Sequence, residues 1–101
     1  MILEVEDKPA IEPASAHLIR DALRDLERPR HKFAILKSPP RFIQTMVNPD
    51  GSFVIEYSEG SVKNMFELEP ATLEDVEKVF LLFLDDGDFR NALPFRPITN
   101  R

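Results

Sequence analysis

The sequence predicts an α+β domain: an antiparallel β-meander of four to five strands with two α-helices packed on one face. Three observations predict it. Two turn sequences, Asn48-Pro49-Asp50-Gly51 and Ser58-Glu59-Gly60-Ser61, divide the apolar-rich stretch Arg41–Leu68 into three strand-like runs. Two flanking segments, one after Ser15 and one after Thr72, repeat apolar residues at helical spacing behind good N-cap residues. At 101 residues, 43% apolar and 31% charged, the chain suits one domain with a single core over residues 1–101.

The elements follow in chain order. Residues 2–6 make a short strand with Leu3 and Val5 on one side, and Pro9 and Pro13 bracket a loop. Ser15 caps a helix running to about Glu27, with Leu18, Ile19, Ala22, Leu23 and Leu26 on its apolar side. Phe33–Lys37 is a further strand, and Ser38-Pro39-Pro40 turns it into the meander. Thr72 opens the second helix with Asp75 as capping-box partner. That helix ends near Leu84 or Asp86, with Gly87 as the residue that turns the chain away. The tail from Asp88 is irregular, tethered by Phe89, Leu93 and Phe95.

The turns also specify a register. In Asn48-Pro49-Asp50-Gly51 the composition is that of a type I turn followed by a residue at positive φ, which pairs Asn48 with Ser52. Val47 then faces Phe53, Met46 faces Val54, Thr45 faces Ile55, Gln44 faces Glu56 and Ile43 faces Tyr57. A two-residue Glu59-Gly60 loop pairs Tyr57 with Val62, Glu56 with Lys63, Ile55 with Asn64, Val54 with Met65 and Phe53 with Phe66. Side chains alternate along a strand, so these pairs sort onto two faces. Ile43, Thr45, Val47, Phe53, Ile55, Tyr57, Val62, Asn64 and Phe66 make a core face. The other face carries a polar row, Gln44–Glu56–Lys63, beside an apolar row, Met46–Val54–Met65, flanked by Phe42.

Composition excludes several functions. The absence of cysteine removes disulfides, thiolate catalysis and thiolate-held metals. The acidic N-terminus is unlike a signal peptide, and the longest apolar run, Val79–Leu84, is too short to span a bilayer, so a cytoplasmic location is expected. Net charge is −5, with eight bases and eight acids in residues 1–50 but five and ten in residues 51–101. An acidic chain with one modest basic segment (Arg28, Arg30, His31, Lys32, then Lys37 and Arg41) is poorly suited to nucleic acid, whose phosphates supply most non-specific affinity.

No constellation marks a reaction. All three glycines, Gly51, Gly60 and Gly87, belong to turns or a cap, leaving none for a phosphate-cradling loop. His17 and His31 are far apart and in no metal-ligand spacing, and there is no nucleophile elbow. Glu56 and Lys63 form an acid–base pair, but Tyr57 points to the opposite face and does not join them. A non-enzymatic protein without cofactor or metal is expected. Asp85-Asp86-Gly87-Asp88 places carboxylates at a helix C-terminus, against the dipole. These acids are read as solvent-exposed, with an electrostatic contact to a basic partner as the functional alternative. A contiguous apolar row across three strands is a patch in a way that scattered residues are not, and methionine suits surfaces that adapt to a partner.

The order strand, helix, meander, helix, together with Phe42-Ile43-Gln44, Gly51, Ile55-Glu56-Tyr57 and Phe83-Leu84-Asp85-Asp86-Gly87-Asp88-Phe89-Arg90, resembles small bacterial immunity-type domains of the Imm1-like kind. Those domains often carry tryptophan in the C-terminal segment, where this chain has Phe89 and Phe95. The resemblance implies a non-enzymatic protein that binds and blocks a toxin, and an acidic surface would suit a basic toxin. The expected function is thus protein interaction, either toxin-neutralising or self-associating as a homodimer. Its partner-binding residues are Phe42, Met46, Val54 and Met65, with Asp85, Asp86 and Asp88 as a secondary site. A small-ligand-binding or regulatory domain is the alternative.

Overall fold

Alternating apolar residues draw the strands into one sheet, and the two amphipathic helices then close the apolar side. The computed structural model describes residues 1–26, 33–60 and 64–98. Its strands are β1 (Ile2–Val5), β2 (Phe33–Ser38), β3 (Arg41–Val47), β4 (Phe53–Ser58), β5 (Met65–Ala71) and β6 (Arg96–Pro97). Its helices are α1 (Ala16–Asp25) and α2 (Leu73–Leu84). The α+β class is as expected, but the antiparallel sheet has six strands in chain order, not four to five. The addition is β6, two residues of the tail laid against Phe66 and Glu67 of β5. The basic segment Arg28–Lys32 and the expected strand residues Val62 and Lys63 lie outside the described residues.

The first hairpin has the register its turn requires, from Val47 opposite Phe53 to Phe42 opposite Ser58. The Gly51 N–H donates to the Asn48 carbonyl at 2.9 Å, and Gly51 has φ +90°, a value that side chains with a Cβ avoid. The Ser52 hydroxyl and N–H both donate to Asp50 Oδ1, at 2.6 and 2.9 Å. Those bonds, the hydroxyl's first, hold the Asp50 carboxyl below its ordinary value of 3.8.

The second hairpin departs from expectation. Tyr57 faces Phe66, not Val62, and Glu56 faces Glu67, not Lys63. The loop is therefore longer than Glu59-Gly60, and β5 is displaced by four residues relative to the expected pairing (66 − 62). Packing decides this. The expected register sets the Asn64 amide across from Ile55 in the core, whereas the observed one sets Leu68 there and stacks Phe66 on Tyr57 at 4.9 Å. An even displacement keeps Met65, Phe66 and Glu67 on their expected faces.

Both helices sit on the face that carries Leu3, Val5, Ala34, Leu36, Ile43, Phe53, Ile55 and Tyr57. Ile19, Ala22 and Leu23 of α1 and Val76, Val79, Phe80 and Phe83 of α2 fill that core. Ser15 caps α1 by accepting from the Leu18 N–H, and Thr72 with Asp75 forms the expected capping box of α2. Thr45, a hydroxyl in the core, is satisfied by donating to the Val54 carbonyl at 2.8 Å. The tail packs on the same side: Phe89 and Phe95 present edges to the Tyr57 ring at 5.0 and 4.9 Å.

The end of α2 differs by one residue from expectation. Asp86, at φ +57°, takes the left-handed position assigned to Gly87. Its N–H reaches the Phe83 carbonyl, and the Gly87 N–H reaches the Leu82 carbonyl at 2.7 Å, a Schellman closure. Glycine is needed one position later for room: a Cβ on Gly87 would lie 3.0 Å from Leu82 Cδ2.

Two outcomes are expected. Tyr57→Ala loses about 3–5 kcal/mol of stability in urea unfolding, because three aromatic rings lose their common neighbour. In an NMR titration, Ser52→Ala returns the Asp50 carboxyl toward 3.8. In the wild type this turn is favoured above the unfolded aspartate range and loses that support as pH falls through the lowered value.

Candidate functional site

The helix-free face is the candidate site, and its layout follows from the register. Through its centre runs a row of directly paired residues, Glu4–Ile35–Gln44–Glu56–Glu67–Arg96, polar at every position but Ile35. On one side lies Phe33–Met46–Val54; on the other lies Lys37–Phe42–Ser58–Met65. The expected apolar row Met46–Val54–Met65 is therefore split, with Met65 across from Ser58 on the far side of the polar row. The expected pair of opposite charges at Glu56 is replaced by two carboxylates, Glu56 and Glu67, facing each other.

Burial separates these residues further. Val54 and Met65 are buried, at 8% and 6% exposure, without belonging to the main core cluster. Phe42 is half-buried, and Met46 is the only large apolar side chain exposed among the described residues. Of the four expected partner-binding residues on this face, Met46 and part of Phe42 can meet another molecule directly. Val54 and Met65 are buried and cannot.

The polar row is ordered. Gln44 Nε2 donates to Glu56 Oε1 at 2.7 Å, and the Glu56 side chain is buried. Glu4 is ion-paired to Lys37 on the same face. Glu67 is half-buried, and among the described residues no ion pair or hydrogen bond joins its carboxylate to Arg96 across from it. At the turn end, Asn48 Nδ2 donates to Glu69 Oε2 at 2.9 Å. Strand addition is hindered at both sheet edges: the Leu3 N–H and carbonyl are both taken by Ile11, and β5 is flanked at Phe66 and Glu67 by the two-residue β6 with Pro97.

The acidic group Asp85, Asp86 and Asp88 is elsewhere, on the helical layer beyond α2. Arg41 Nη2 donates to Asp86 Oδ1 at 3.3 Å, and its guanidinium lies over the Phe83 ring at 5.2 Å from the centroid. Arg90 repeats the pattern, lying over Phe89 and pairing with Glu59. Asn91 donates to Asp88. Two arginines thus cover the aromatic end of the core, and the acids hold them there. Sequence reasoning read the acids as solvent-exposed or as a contact site and missed this internal use; Phe83, three positions before Asp86, and Phe89, one after Asp88, were the available signal. Nearby, burial raises the Tyr57 phenol above its ordinary value, opposed by the Arg90 charge.

No family model, curated protein or solved structure matches the chain. Among the described residues, no cluster of three or more histidine, aspartate or glutamate side chains is placed to hold a metal ion. No described helix is long and apolar enough to cross a membrane.

The register and burial revise one expectation into a measurable contrast. Met65→Glu, a charge forced into a buried position, should cost at least ~2 kcal/mol in urea unfolding. Met46→Glu should change stability by no more than about 0.5 kcal/mol.

Proposed function

We propose that this chain is a non-enzymatic, cytoplasmic protein-interaction domain of the toxin-neutralising kind, engaging its partner with the helix-free face of the sheet. The observation that supports this reading is the face itself: an ordered polar row flanked by apolar side chains, with Met46 exposed beside it. A solvent-washed sheet face needs neither a part-buried Gln44–Glu56 hydrogen bond nor an exposed methionine beside it. The face also has the anatomy of an interface patch, with an apolar anchor beside hydrogen-bonding groups of fixed direction. The Imm1-like resemblance in Phe42-Ile43-Gln44 and Ile55-Glu56-Tyr57 falls on β3 and β4, the two strands at the middle of that face.

Self-association is the second form of the same reading. The hindered sheet edges disfavour a dimer built by strand pairing, so a homodimer would use the face.

The test is partner capture from native lysate with the wild type beside Met46→Glu, accompanied by solution mass from light scattering. A protein retained by the wild type and lost at least tenfold by the folded Met46→Glu variant, and whose toxicity on expression is relieved by this chain, supports the reading. Equal retention by both proteins rejects the face. A wild-type dimer that Met46→Glu converts to a folded monomer assigns the face to self-association instead.

A further inference from the structure

We propose that Met46 is a peroxide-oxidisable site through which the helix-free face is switched between a binding and a non-binding state. The inference rests on the preceding reading of that face as the binding surface and names how it is regulated. The chain has three methionines and no cysteine, so a mild two-electron oxidant meets thioethers with no thiol to compete for it. Burial then separates the thioethers. Met46 is 39% exposed, whereas Met65 is buried and Met1 is partly buried against the core.

Position matters as much as exposure. Met46 stands on β3 between Phe33 of β2 and Val54 of β4, so its backbone is held by a strand on each side. Its sulfur takes one oxygen from hydrogen peroxide: the O–O bond breaks, the other oxygen leaves as water, and the sulfur loses the two electrons that the peroxide gains. The sulfoxide puts a polar acceptor where the face had offered an apolar group. An apolar partner group laid over it would strip water from that oxygen and supply no donor in return. In the free chain the exposed side chain keeps its oxygen in water, so the fold bears no such cost. The same oxygen on Met65, across from Ser58, would enter a buried place and destabilise the sheet. Oxidation at Met46 thus acts on the contact and spares the fold. Methionine sulfoxide reductases, one for each sulfoxide epimer, restore the thioether and oxidise two thiols to a disulfide, releasing water.

The experiment treats the full chain with increasing hydrogen peroxide, followed by peptide mass spectrometry, urea unfolding and capture from native lysate. Met46 should gain oxygen roughly tenfold faster than Met65, with the urea midpoint unmoved. A protein retained by the reduced chain should be lost roughly tenfold on oxidation and regained after treatment with both reductases. Met46→Leu, whatever its own affinity, should retain that protein equally before and after peroxide. Equal oxidation of Met46 and Met65, or unfolding on oxidation of Met46, would overturn the proposal, as would peroxide-sensitive capture by Met46→Leu. An oxidised chain that still holds a protein lost by folded Met46→Glu would overturn the switch and leave the interaction reading of the face intact. A reduced chain that retains nothing would overturn that reading and the switch with it.

Discussion

The stack of Tyr57 on Phe66 is the contact on which the rest of the molecule depends. It sets the register between β4 and β5, and through that register it decides what stands opposite Glu56 on the other side of the sheet. Phe89 and Phe95 close on the same Tyr57 ring from the tail, which carries Arg96 and Pro97 to the edge of β5 and adds the sixth strand. An aromatic cluster of this kind contributes apolar burial and ring–ring geometry together, so a slip by even one pair would forfeit both. The core face thereby writes the pattern of the open face: apolar contact on one side of β5 imposes a carboxylate pair on the other.

The division of labour among charged residues follows from the same layering. Arg41 and Arg90 lie over Phe83 and Phe89 at the exposed end of the core, where their guanidinium planes can rest on rings and still reach acids. Asp86 and Glu59 complete those arrangements at the surface. Exposed pairs of this type add little stability individually, but here they hold the guanidiniums over the rings. Asp86 also occupies a left-handed position next to a helix C-terminus, two local disadvantages that its contact with Arg41 offsets in part. Of the acids beyond α2, Asp86 thus has an internal partner in Arg41, and Asp88 one in Asn91.

What could be read from the sequence was local chemistry. Asn48-Pro49-Asp50-Gly51 allowed one turn type, and every pair of the first hairpin followed from it. Ser15, Thr72 and Asp75 marked both helix starts in the same way. Glu59-Gly60 also resembled a tight turn, but turn composition there was outweighed by distant contacts: Leu68 against Ile55 and Phe66 against Tyr57 are preferable in the core to Asn64 and Val62. β6 was illegible because two residues containing a proline carry no strand pattern of their own. Faces survived the error because the displacement was even; rows did not, and Met65 moved from beside Val54 to a place across from Ser58.

That distinction bears on how the open face can act. A face made of continuous apolar rows would bind by area, with little preference for what lies on it. The observed face instead interrupts its apolar residues with a row in which Glu56 is already buried and hydrogen-bonded, so an apolar surface laid on it would desolvate the half-buried Glu67. A surface so arranged is more selective than adhesive.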